Sequence, residues 1–197
     1  IGSNMGGHGD GSGGADGHGA AVTCLQFWNW ALASGSSDST VKMWDLRTGA
    51  CHRTLSGHVR RPAILAARIL SPRNSLGAQF SDAPTLPLQA SAVRTVRFSD
   101  HQLLTGSTDG TVRVWDLRTG GCARTLHAGA VVNSLRFDDQ RVFVATNIPA
   151  AAGRSAADAG LLVYCSRTGE RLGALGGADA SVRSVDLAAN LLASASA

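Results

Sequence analysis

The sequence predicts an all-β chain of stacked four-stranded antiparallel sheets, about three and a half of them. Three observations carry this. Residues 22–55 align without a gap on residues 93–126 at an offset of 71, with 18 of 34 positions identical. Each copy divides into short segments of alternating polarity, the pattern of half-buried strands. The segments are separated by residues that form turns, such as Ser-Ser-Asp-Ser (36–39) and Arg-Thr-Gly (47–49).

The elements follow in order. Val22, Cys24 and Gln26 alternate with Thr23, Leu25 and Phe27, which predicts a first strand. A brief polar turn, LASGS, the Ser/Asp turn, TVKMW, the Arg-Thr-Gly turn and CHRTL complete the copy. The best match sets SGSSDSTVKMWDLRTGAC (34–51) against TGSTDGTVRVWDLRTGGC (105–122). A weaker third copy runs from Val132 to Leu175, and a fourth starts at VRSVDLAANLLASASA (182–197) and stops in mid-repeat. Four short strands in roughly 40 residues make a meander, and a meander repeated at that period is a propeller blade. Blades are therefore expected at about 22–55, 93–126, 131–175 and, incomplete, 182–197, within a domain spanning 20–197. A single blade cannot bury both faces of its sheet, so the copies must stack.

Gly57-His58, the Ser/Thr-Gly-Ser-x-Asp turn and the Trp-Asp pair ending the third strand resemble the WD-repeat family. The resemblance covers about residues 17–197 and implies a partial WD-repeat β-propeller. In that family a loop histidine, a Ser/Thr, the turn Asp and the Trp share buried hydrogen bonds. Carried over, one set is His18, Ser34, Asp38 and Trp44, and the other is His58, Thr105, Asp109 and Trp115. A buried Asp needs donors and a buried Trp must place its N–H, so these residues are expected to be structural rather than catalytic.

The third copy departs from the pattern. Tyr164-Cys165 stands in place of Trp-Asp, its turn has no Asp, and Ala128-Gly129 precedes it instead of Gly-His. Without the hydrogen-bond chain this blade is expected to be less rigid. Residues 59–92 read as an irregular insertion holding four of the chain's five prolines, either a functional insertion or translated non-coding sequence, with PAILAARIL (62–70) able to form a short apolar helix. Residues 1–19, with nine glycines, read as a disordered tail. GGHGDGSGGADG in that tail lacks the apolar position that calcium-binding Gly-Asp repeats pack inward. Counting blades gives an open arc with bare sheet edges, so the expectation is a fragment, or a ring completed by further blades or another chain.

Composition narrows the function. The net charge of +4 rests on arginines spread singly along the chain, not in the blocks of a nucleic-acid surface. Four distant cysteines, Cys24, Cys51, Cys122 and Cys165, read as buried free thiols of a reducing compartment. No run suits a signal peptide or a membrane span, so a cytoplasmic or nuclear location without membrane insertion is expected. No nucleophile motif, metal-spaced His/Cys set or phosphate loop is present, so neither an enzyme nor a cofactor or metal is expected.

A protein-binding scaffold remains. Turns between first and second strands, and between third and fourth, share one rim of a propeller. That rim is expected to carry Trp28-Asn29-Trp30 with Arg47, Arg118 and Arg167, residue types that dominate protein–protein hot spots. The stretches 32–47 and 103–118 resemble the sixteen-residue box of substrate receptors in cullin–RING ubiquitin ligases, whose final Arg touches the adaptor. The short turns FSDHQLL and FDDQRVF are similar to those of F-box-linked propellers. Those resemblances imply a substrate-recruiting ligase subunit, with an adaptor and a substrate as partners. The alternatives are a structural adaptor in organelle division, trafficking or cytoskeletal assembly, or a truncated gene product without stable function.

Overall fold

The computed structural model describes residues 17–60, 89–147, 160–175, 181–188 and 191–196. Blade 1 is β1 (Val22–Trp28), β2 (Ala31–Ser36), β3 (Thr40–Asp45) and β4 (Cys51–Ser56). A short pair, β5 (Val59–Arg60) and β6 (Gln89–Ala90), follows. Blade 2 is β7 (Val93–Phe98), β8 (Gln102–Ser107), β9 (Thr111–Asp116) and β10 (Cys122–His127). Blade 3 is β11 (Val131–Phe137), β12 (Arg141–Asn147), β13 (Leu161–Cys165) and β14 (Arg171–Leu175). A two-stranded sheet of β15 (Val182–Ala188) and β16 (Leu191–Ser196) ends the series. Three four-stranded antiparallel meanders and half of a fourth agree with the repeat count, and the sheets do not close.

The stacking follows from the strands' two apolar faces. In β8, Leu103 joins the core between blades 1 and 2 with Val41, Met43, Val93, Val96 and Phe98. Its neighbour Leu104 points the other way, into the core shared with Leu135, Val144 and Leu162 of blade 3. A third core, with Phe143, Leu161, Val182 and Val185, joins blade 3 to the two-stranded sheet. Each fully buried Val, Leu or Phe contributes about 1.5–3 kcal/mol, so these layers hold the arc together. The small residue in each second strand lets the next blade come close. A Cβ on Gly106 would lie 2.4 Å from Val132 Cγ1, and one on Gly35 2.8 Å from Val93 Cγ1.

Two sequence expectations need correcting. The insertion at 59–92 is not irregular at its ends, because Val59 pairs with Ala90 and Arg60 with Gln89. This ladder brings the chain back beside its point of departure, where the Ser91 carbonyl accepts from Ser107 Oγ, so the excursion does not displace β7. The cysteines are free but none is buried. Cys24, Cys51 and Cys165 are half-buried and Cys122 is exposed, since Cys51 and Cys122 open the outermost strands of their blades. The expected helix at 62–70, the body of the third copy's long turn (148–159) and residues 1–16 of the expected tail lie outside the described residues. His18, at the other end of that tail, is bonded into blade 1. Among the described residues no helix is long and apolar enough to cross a membrane.

Candidate partner-binding rim

The histidine-centred sets fix the rim opposite the candidate one. Trp115 Nε1 donates to Thr105 Oγ1 at 2.9 Å, and that oxygen lies 2.7 Å from His58 Nε2. His58 Nδ1 meets Asp109 Oδ2 at 3.0 Å. The indole can only donate, so Thr105 accepts from it and gives its own proton to His58 Nε2, which leaves Nδ1–H for the carboxylate. Blade 1 repeats the pattern. Trp44 Nε1 donates to Ser34 Oγ at 2.8 Å, which lies 2.7 Å from His18 Nε2, and His18 Nδ1 is 3.1 Å from Asp38 Oδ2. All eight residues named from the sequence thus fall into two bonded chains.

A ninth and tenth member were missed. Thr40 and Thr111 each donate a backbone N–H and a hydroxyl to Oδ1 of their Asp. The signal was legible as a Thr two residues beyond each turn Asp. Burial pushes Asp38 up, but donors from Thr40, the Gly19 N–H and His18 outweigh it and bring the carboxyl down to about 2. Asp109 is likewise lowered: burial raises it, and the bonds from His58 and Thr111 prevail. Both aspartates are anionic hubs that hold the loop before a blade to that blade's own turn.

At the other rim, three turns share one geometry. Gly49, Gly120 and Gly169 have φ of 71°, 76° and 79°, a region that favours glycine, and their N–H groups close on Asp45, Asp116 and Cys165 carbonyls at 2.7–2.8 Å. Oδ1 of Asp45 and of Asp116 accepts from the N–H of Arg47 and Arg118 at 2.8 Å. In blade 3, Cys165 occupies the Asp position. The Thr168 hydroxyl and the Thr168 and Arg167 N–H groups donate to its sulfur and lower its pKa. Arg167 therefore keeps its place although Trp-Asp is gone.

Each of these turns is stapled to the turn between first and second strands. The N–H groups of Leu46, Leu117 and Ser166 donate to the carbonyls of Trp30, His101 and Gln140. This puts Arg47, Arg118 and Arg167 on one rim, each beside a different residue, and only in blade 1 is that residue a tryptophan. The Arg47 guanidinium carbon sits 4.9 Å from the Trp30 ring centre, a cation–π contact. Trp28 donates its indole N–H to Asp100 Oδ1 of blade 2 at 2.9 Å. Asn29, with φ of 53°, makes the tight turn that aims both indoles outward. Trp28 is 49% exposed and Trp30 61%. Both line a cleft of about 490 Å³ with Arg47, His52 and Asp100. Arg118 and Arg167 lie outside that cleft, so the rim divides into an aromatic part in blade 1 and a cationic part in blades 2 and 3.

Comparisons with known proteins agree with this geometry. The WD domain, G-beta repeat family matches residues 14–45 and 84–116. Mitochondrial division protein 1 of Chaetomium globosum is 40% identical over 120 residues, 60% of this chain and 17% of the relative. Nuclear distribution protein nudF of Aspergillus niger is 34% identical over 138 residues, 60% of this chain and 31% of the relative. The chain thus spans less than a third of the length of these curated relatives. Among solved structures, the computationally designed Ika4 protein aligns with a TM-score of 0.65 and 25% identity, covering 91% of this chain and 88% of its own. These relatives do not support the F-box and cullin–RING resemblance, and their names stand nearer to the structural-adaptor alternative. Two stretches of the chain, each tied into its bonded histidine set, thus match the WD domain, G-beta repeat family.

Proposed function

We propose that this chain is a non-catalytic, cytoplasmic protein-interaction scaffold, a structural adaptor in organelle division or nuclear distribution. Its partner surface is the rim of Trp28, Trp30 and Arg47, extended by Arg118 and Arg167. The observation that carries the reading is Trp30, a large aromatic left 61% exposed with the Arg47 guanidinium stacked on it. Such a pair is prearranged in the lining of an open cleft, so a partner meets little entropic cost in ordering it. The names of the relatives supply the cellular setting, division of mitochondria and nuclear distribution.

The test compares capture of cytoplasmic proteins by the native chain, by a Trp30→Ala/Arg47→Ala double variant, and by a control changed at exposed Arg94, which lies outside the cleft. Loss of two hot-spot side chains costs at least about 2 kcal/mol, so specific partners fall more than about tenfold with the double variant. The control keeps them. An unchanged partner set with the double variant overturns the proposal.

A further inference from the structure

The first strands of the four sheets carry Gln26, Arg97, Arg136 and Asp186 at matched positions. Two of the three junctions between them are satisfied. Gln26 bridges blade 1 to blade 2 through both ends of its amide, Nε2 donating to the Phe98 carbonyl at 3.1 Å and Oε1 accepting from the Phe98 N–H at 2.9 Å. Arg136 Nε donates to Asp186 Oδ1 at 2.8 Å, joining blade 3 to the last sheet.

Between blades 2 and 3 the matched residue is Arg97, and among the described residues nothing comparable receives it. It is half-buried, and its Nη1 donates to the carbonyl of the preceding Val96 at 2.7 Å, its one hydrogen bond among the described residues. Burial, and then the neighbouring cation Arg136, weaken its hold on its proton and outweigh the opposing pull of Cys24 and Asp186. A partly desolvated guanidinium that shares a cleft with a second one is a place where an anion is stabilised.

Arg97 and Arg136 line a cleft of about 1150 Å³ with Arg124, Arg167, Phe137 and Leu187. The acidic residues in the wall do little to fill the need. Asp138 is held by Arg141 and by the N–H groups of Gln140 and Arg141, and Asp116 caps its own turn. These carboxylates, together with exposed Asp139, oppose the evenly spaced charges of a nucleic-acid backbone. They leave room for one carboxylate beside an apolar side chain. Phe137 and Leu187, both half-buried, supply the apolar contact.

We propose that this cleft, which runs along the first strands of all four sheets, binds an acidic peptide segment, one carboxylate on Arg97 and a flanking apolar residue against Phe137 and Leu187. The cleft shares Trp28 and Arg167 with the partner rim but contains neither Trp30 nor Arg47, so the two readings are tested by different variants.

The test uses the whole chain and a fluorescein-labelled peptide, Gly-Phe-Glu-Glu-Leu-Glu-Gly, with its Gln-for-Glu counterpart and an oligouridylate as comparisons. Arg97→Gln is the informative variant, since blade 1 already uses Gln at this position to bridge to its neighbour. Fluorescence anisotropy is expected to show the Glu peptide binding about tenfold tighter than the Gln peptide, and a similar loss in Arg97→Gln with the unfolding temperature unchanged. Arg97→Lys, which keeps the charge without the fork, falls between. Trp30→Ala/Arg47→Ala leaves this binding intact, which separates the proposal from the rim reading. Equal binding of the Gln peptide, unaltered binding by a folded Arg97→Gln, or tighter binding of the oligouridylate overturns it.

Discussion

Blades 1 and 2 share 18 of 34 aligned residues, yet their first strands meet opposite surroundings. Val93, Val96 and Phe98 of β7 are 0%, 0% and 5% exposed. Their counterparts Val22, Leu25 and Phe27 in β1 are 53%, 60% and 69% exposed. The side chains are of one chemical kind, so the difference is the neighbour: β7 has blade 1 against it, and no described residue covers β1 in that way. A blade's leading face is thus apolar because another blade is meant to lie on it, and an uncovered one is a large adhesive patch. The same pair of blades also differs at the rim. Trp28-Asn29-Trp30 in blade 1 faces Ser99-Asp100-His101 in blade 2, so near-identical scaffolds carry different surfaces.

The sharpest way to break this comparison is to truncate the matched phenylalanines. Phe98→Ala empties a covered position and costs about 3–5 kcal/mol, while Phe27→Ala removes an uncovered ring and stays within about 0.5 kcal/mol. Thermal unfolding of the two variants reads the difference, and equal losses contradict the stacking described above. A smaller effect separates the turns of the two blades. Ser39 holds a φ of 71° where blade 2 has Gly110 at 80°, and the Ser39 hydroxyl is buried without a partner. Ser39→Gly is expected to stabilise the chain by about 0.5–1 kcal/mol, with a matching rise in unfolding temperature. A fall in that temperature shows that Ser39 makes a compensating contact.

Much of the fold was legible because turns are local. Arg-Thr-Gly, the Ser/Asp turn and Trp-Asp specify backbone geometry through residues a few positions apart, and they recur at one offset. The two histidine sets were legible for a different reason, since the resemblance identified them and the requirement to satisfy a buried Asp supported them. What stayed hidden depends on where a neighbour's backbone lies. Arg53 Nη1 donates to the Leu117 carbonyl at 2.9 Å, and the matched Arg124 reaches the Ser166 carbonyl one blade on. No pattern within a single repeat announces such a clamp between blades. In blade 3 the Gly173 position ends the series.

Blade 3 shows how a repeat survives losing its signature. Val144 replaces the Ser/Thr of the bonded set, and Tyr164 replaces the Trp, sending its hydroxyl to the His127 carbonyl at 2.9 Å. Both are buried in the apolar layer facing blade 2. Polar partners removed together leave nothing unsatisfied, whereas removing one leaves a buried group bare. Cys165 completes the substitution at the turn, where a thiol accepting the same donors was not foreseeable from the loss of Asp.

The central claim is that partners dock on the rim of Trp28, Trp30 and Arg47. Hydrogen exchange of the chain with a captured partner bound tests it most directly. The account predicts slowed exchange at residues 28–31 and 45–49, with residues 36–40 on the opposite rim unchanged. Protection confined to 36–40 and 57–60, with the aromatic rim exchanging as in the free chain, contradicts it.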